Sequence, residues 1–255
     1  MRVFASGFRV QLAIFRSAIG RVSIVIALPF HVLIFLSITR NGGRADLDQQ
    51  AALAPALAGM WTMSLMLAGD IIDADRWNGV LDVVLAAPAA FFHNLLGRCA
   101  AVGALGLVCF GESWLFAVVF FDADLSLAHP LWFVAGLLAT CLATAATATV
   151  MATVFVLGRT ALAFKNALNY PVYVLGGVFV PVAVLPHWSR PLSRVIYLSW
   201  SSDLLRAATV PGVMKGAGLQ LAMVLLLGAL TLVAGVWCTH VVLTRVRHTG
   251  RVMTS

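Results

Sequence analysis

Residues 218–243 read GLQLAMVLLLGALTLVAGVWCTHVVL, with no Lys, Arg, Asp or Glu among them. A helix needs roughly 20 mostly apolar residues to cross about 30 Å of hydrocarbon, and this stretch supplies them. Five more stretches meet the same requirement, at about 22–38, 51–72, 95–121, 131–157 and 169–186, the last being the least regular. Lipid cannot satisfy bare backbone N–H and C=O groups, so the expected elements are helices. The chain therefore reads as an all-α polytopic membrane protein, one transmembrane domain over residues 1–255 with no soluble domain at either end. Composition agrees. The 255 residues are 61% hydrophobic and 11% charged, with a mean hydropathy of +0.97. Soluble domains carry about 25% charged residues, so a soluble enzyme, a disordered chain and a nucleic-acid-binding protein are all excluded. The four cysteines, Cys99, Cys109, Cys141 and Cys238, lie in apolar runs without close spacing and read as small buried hydrophobes.

The net charge of +7 is largely topology. With the N-terminus inside, eleven of the 17 Lys and Arg residues fall on the cytoplasmic side and six on the outer side. The outer segment 122–130 carries Asp122 and Asp124 and no basic residue. Both termini are thus expected in the cytoplasm of a cell (inner or plasma) membrane protein. The first 20 residues are too basic and too long to be a cleaved leader. In them Phe4, Phe8, Leu12, Phe15 and Ile19 share a stripe about 80° wide at 100° per residue. Arg2, Arg9 and Arg16 recur every seventh position beside that stripe. This pattern fits a helix lying flat in the interface, phenylalanines at the acyl boundary and arginines on lipid phosphates.

Between the second and third spans stands DADRWNGVLDVVLAAP, residues 73–88. Trp77, Val80, Leu81 and Val84 follow helical spacing, while Asp75, Asn78 and Asp82 line another face. A short amphipathic cytoplasmic helix ending near Pro88 results, with Asp73 and Asp75 near its start. Its three carboxylates and single arginine suit a protein partner better than anionic lipid.

Residues 169–211 hold five of the nine prolines and the pair Gly176-Gly177. Proline removes a helical hydrogen bond, and irregular backbone at membrane depth must be shielded by protein or water. The segment after Pro186, with Trp188, Tyr197, Trp200, Asp203 and Arg206, is too polar to span and too apolar for a free loop. It reads as short re-entrant helices dipping into the outer leaflet between spans 5 and 6.

Other constellations carry less. Glu112 sits inside the third span, where a carboxylate normally faces other helices or water. It reads equally as a contact in a transport path, toward a cationic cargo, or as a packing contact. Asp70, Asp73 and Asp75 allow an alternative, a membrane-embedded enzyme acting on a lipid phosphate through Mg²⁺, but helical turns spread them apart. His31, His93, His129, His187, His240 and His248 are scattered without ligand spacing. A secondary transporter should show an internal repeat or paired broken helices, and only 169–191 is broken. Gly111-Glu-Ser-Trp-Leu115 lacks the second glycine of a nucleophile elbow. Gly136, Thr140, Thr144 and Ala148 make a small-residue face that suits close packing within one subunit. Neither Lys165, after Phe164, nor Lys215, after Met214, lies in a phosphate-binding G-x-x-x-x-G-K-[ST] loop.

The two informative segments resemble the membrane-spanning subunit of ABC transporters of the ABC-2 exporter family, type V exporter-like. That family carries a pattern like E-R-E-x-G-T-L-E-x-L-x-x-x-P after its second span. Arg76, Gly79, Leu81, Val84 and Pro88 fall in register with it, Asp75 and Asp82 stand for glutamates, and Trp77 and Val80 replace an acid and a threonine. A later family pattern is matched by Pro171, Gly177, Pro181, Leu185-Pro186-Trp188 and the pair Asp203/Arg206. The resemblance implies a six-helix half-transporter with an N-terminal interfacial helix, a cytoplasmic coupling helix and re-entrant outer helices. It also implies a second permease copy or a homologous permease, and two ATP-binding cassette subunits that hold ATP and Mg, with no cofactor and no catalytic residue in this chain. Asp75, Arg76, Trp77, Gly79, Leu81, Asp82 and Pro88 would then face the ATPase. The cargo fitting an apolar path is a hydrophobic drug, a lipid or a lipid-linked glycan.

Overall fold

The computed structural model describes residues 2–17, 19–43, 47–77, 79, 88–123, 126–157 and 161–249. In chain order the helices are α1 (Arg2–Ser17), α2 (Ile19–Asn41), α3 (Asp48–Trp77), α4 (Pro88–Phe121), α5 (Pro130–Leu157), α6 (Ala161–Leu175), α7 (Arg190–Val195), α8 (Tyr197–Thr209) and α9 (Ala217–Thr249). A 3₁₀ turn at Val182–Val184 lies between α6 and α7, and no strand occurs among the described residues. Among the described residues, four helices are long and apolar enough to cross a membrane, over Asp48–Ala68, Phe92–Phe121, Pro130–Val154 and Ala217–Val241. α2 has 23 residues, enough in length, although much of its side-chain complement lies outside the described residues.

The fifth expected span differs. α6 has 15 residues, about 22 Å at 1.5 Å per residue, short of the ~30 Å hydrocarbon thickness. It stops at Leu175, so the helix does not run on to residue 186. The cause is local: Gly177 takes φ +67, its N–H donates to Val174 O at 3.1 Å, and Val178 N–H donates to Tyr173 O at 3.0 Å. That is a Schellman stop, which wants glycine at the left-handed position. Ile19 likewise belongs to α2 and not to the stripe of α1, which ends at Ser17.

α3 is the central post. Its membrane window is 89% buried, against 17% for α9. Leu53, Leu57, Met60 and Leu65 of α3 meet Phe110 of α4, Phe133 of α5 and Leu198 and Leu205 of α8 in the main core. Nearer the end of the bundle on which α1 packs, labelled the inner end after the charge expectation alone, Met63, Leu67 and Ile71 meet Leu95, Cys99 and Val102 of α4. α5 carries many threonines without exposing bare hydroxyls. Thr140, Thr144, Thr147, Thr149 and Thr153 each donate to the carbonyl four residues back, at 2.7–3.1 Å.

Candidate functional site

At the inner end, three helices converge on Arg98 of α4. Its Nη1 donates to both carboxylate oxygens of Asp75, at 2.8 and 2.7 Å, its Nε to Gln11 Oε1 at 3.0 Å, and its Nη2 to the Ile71 carbonyl at 3.3 Å. Arg98 and Gln11 are buried, and the Asp75 side chain is 13% exposed. A buried guanidinium is tolerated only when a carboxylate and further acceptors replace its water, and here all three nitrogens have partners. α1 reaches this point because Gly7 and Gly97 carry no side chain. A Cβ on Gly7 would meet the Asn94 carbonyl at 2.4 Å, and one on Gly97 would meet the Phe4 carbonyl at 2.1 Å. α1 is therefore pressed on α4 backbone to backbone, with Leu12 and Phe15 against the inner core. Part of the stripe read as facing lipid is spent on protein, while Arg2, Arg9 and Arg16 stay exposed.

This arrangement corrects the reading of the first residues of the 73–88 segment, while the short helix expected there lies, from residue 78 to 87 and Gly79 apart, outside the described residues. Asp73 and Asp75 close the last turns of α3 and do not open a new helix. Both carboxylate oxygens of Asp75 accept from Arg98. Arg76 and Trp77 end α3, with side chains outside the described residues, as are those of Asp70 and Asp73. Gly79 is exposed at φ +66, a conformation that glycine alone adopts freely. Leu81 and Asp82 lie outside the described residues, and Pro88 opens α4, the first-turn position where proline's missing N–H costs nothing.

The opposite end, labelled the outer end on the same expectation, is built differently. Ser202 Oγ of α8 donates to Gly176 O at 3.1 Å, and Arg206 Nη2 donates to Val178 O at 2.5 Å. α8 thus holds the chain reversal after α6. Arg194 pairs with Asp203 at 2.8 Å and lies over the Trp200 ring at 4.5 Å. Asp203 and Arg206 share α8 but serve different partners, so the sequence pair is not an ion pair of its own. Arg206 keeps Nε and Nη1 buried without a hydrogen-bond partner among the described residues. Pro181 precedes the 3₁₀ turn, the Pro186 carbonyl accepts from Ser189 N–H at 3.0 Å, and Trp188 is exposed. The small-residue face of α5 is the seat of α8. A Cβ on Gly136 would touch Leu204 at 2.9 Å, Thr140 Oγ1 lies 2.8 Å from Ser201 Oγ, and Thr144 Oγ1 lies 2.9 Å from the Tyr197 hydroxyl.

Glu112 stands apart from both ends. Its neighbours one turn away, Val108 and Leu115, are exposed, and its Oε2 is buried without a hydrogen-bond partner among the described residues. Trp61 Nε1 and Asn169 Oδ1 are also buried and unpartnered among the described residues, while Thr62 and Tyr173 share a hydroxyl–hydroxyl bond between α3 and α6. An apolar groove of about 400 Å³ lies elsewhere, between α4, α5 and α9, roofed by Phe4. The residues that sequence reasoning missed are Gln11 and Arg98. The readable signal for Arg98 was an arginine within an apolar run, which demands a partner; Gln11 gave none.

Comparison with known families adds one finding. Residues 2–210 match the model of the ABC-2 type transporter membrane domain, so the match runs through α1–α8 and takes in both the inner cluster and the outer reversal. No curated protein matches the chain.

Proposed function

The chain belongs to the ABC-2 type transporter family, and we propose that it is the permease subunit of an ATP-driven exporter of the type V kind. The observation that carries this reading is the family match over residues 2–210. The full arrangement would be six spans with both termini in the cytoplasm, two permease subunits forming the path and two ATP-binding cassette subunits supplying ATP and Mg. The segment from Arg76 to Pro88, through Trp77, Gly79, Leu81 and Asp82, serves as the coupling helix that docks on the ATPase. Asp75 braces its root from within. Closure of the ATPase pair around ATP would press on this segment and favour one of two permease arrangements, a population shift driven by differential contact. The outer helices α7 and α8, re-entrant by this reading, would close the outer end of the path. The cargo is apolar or amphipathic. A membrane enzyme working through Asp70, Asp73 and Asp75 is disfavoured because Arg98 already occupies the Asp75 carboxylate.

The test is co-expression with the ATPase encoded beside this reading frame, followed by co-purification and hydrolysis assays. Trp77→Ala should lower both more than Arg76→Ala does, because a desolvated aromatic anchor is typically worth about 2 kcal/mol or more and a rim charge under about 1. Unchanged co-purification and hydrolysis in the Trp77→Ala, Asp82→Lys double variant would sink the proposal.

A further inference from the structure

We propose that Arg98 is a positioning residue that, with Gln11 and Asp75, fastens α1 to the end of α3, so that the two travel together when the ATPase-facing segment is displaced. The inference rests on the proposed function and adds a route for the motion. Asp75 lies two residues before the end of α3 at Trp77, so a grip on its carboxylate is a grip on the root of the coupling segment. The same guanidinium holds α1 through the Gln11 side-chain carbonyl. A simple ion pair between α3 and α4 would need only Asp75. Burying a neutral glutamine of α1 on the third nitrogen adds that helix to the body. Arginine is required because its planar fork reaches the carboxylate, the amide and the Ile71 carbonyl at once, and an ammonium has no such fork. Contact at Gly7 and Gly97 leaves α1 no slack over α4. α9, in contrast, meets α5 at Gly228 and Gly235 and provides a frame outside this body. A membrane-surface helix is thereby wired to the segment an ATPase would push. A physical claim of such wiring requires that both ends be seen to move as one.

The experiment places spin labels on cysteines at Ala13 in α1, at residue 78 and at Leu219 in α9, in pairs, with the four native cysteines replaced. The permease–ATPase complex is measured in lipid nanodiscs without nucleotide and with ATP and Mg. The expected result is a shift of both the 78–219 and 13–219 distances on ATP, with the 13–78 distance unchanged. In Gln11→Leu the 78–219 shift persists while the 13–219 shift is lost. Arg98→Met gives the same loss, and Arg98→Lys gives it in part. Thermal unfolding in detergent checks that each variant is folded; because Gln11→Leu leaves the ion pair whole, it keeps the test open if Arg98→Met does not fold. If residue 78 moves on ATP while residue 13 stays with residue 219 in the parent protein, the fastening is overturned and the transporter reading stands. Retention of the joint movement in Gln11→Leu and Arg98→Met also overturns it, leaving the glycine contact as the tie. No movement of residue 78 at all removes the proposed function, and this inference with it.

Discussion

The joint of α1 with α3 and α4 and the seat of α8 on α5 solve the same packing problem with different chemistry. At the inner end a single guanidinium joins α1, α3 and α4, and two glycines bring backbones into contact. α8 is seated on α5 by two hydroxyl pairs, Thr140 with Ser201 and Thr144 with Tyr197, over an apolar bed of Leu198, Leu204 and Leu205, while its Arg206 holds the backbone carbonyl of Val178. Hydroxyl bonds between membrane helices average about 0.6 kcal/mol by double-mutant cycles, so losing one changes little. A buried ion pair behaves otherwise, since removing one partner strands the other charge at about 3–5 kcal/mol. The Arg98 joint is therefore all-or-none and the seat of α8 on α5 is graded.

That contrast can be broken by three substitutions read by thermal unfolding in detergent. Arg98→Met should have the largest effect, about 3–5 kcal/mol of lost stability, with part recovered when Asp75→Leu is added because the stranded carboxylate goes. No recovery in the double variant would mean that Arg98 acts through packing alone. Gly177→Val comes next. Its left-handed φ costs a side chain roughly 1–2 kcal/mol, and the new Cβ would lie 2.9 Å from both Ser202 Oγ and Val182 Cγ2. Limited proteolysis between α6 and α7 should then rise. Tyr197→Phe should cost least, about 0.6 kcal/mol, because Thr144 Oγ1 keeps its bond to the Thr140 carbonyl. A Tyr197→Phe loss as large as that of Arg98→Met would end the distinction between the two joints.

Much of the helical plan was legible because apolar length is a local property. The runs 51–72, 95–121, 131–157 and 218–243 each fall inside a long helix. The fifth was legible only as trouble. Its prolines and Gly176-Gly177 announced a break, but its place depends on which glycine turns left-handed, and that is settled by contact with Ser202 and Val182 of later segments. The candidate site was less readable for the same reason. Residues 11, 75 and 98 meet only after three helices have packed, and nothing in the spacing of Gln11 distinguishes it from a solvated glutamine on an amphipathic stripe. Asp75 was visible as a carboxylate of the 73–88 segment, yet the direction it faces is decided by the last turn of α3 running two residues beyond it. The small-residue face of α5 was readable because small-xxx-small spacing acts within a single helix, and its occupant proved to be α8 of the same chain.

The threonines of α5 bear on how the protein is made. α5 is synthesised some forty residues before α8, the helix that later covers Thr140 and Thr144. During that interval a hydroxyl with no acceptor would face hydrocarbon, where an unsatisfied polar group is expensive. Each of these hydroxyls instead has a carbonyl of its own helix one turn back, so α5 can leave the insertion machinery with its polar groups already satisfied. When α8 arrives, Ser201 and Tyr197 dock on hydroxyls that keep their original bonds. The helix is thus stable as an early arrival in the bilayer and adhesive to a late one, which lets insertion proceed strictly in the order of translation.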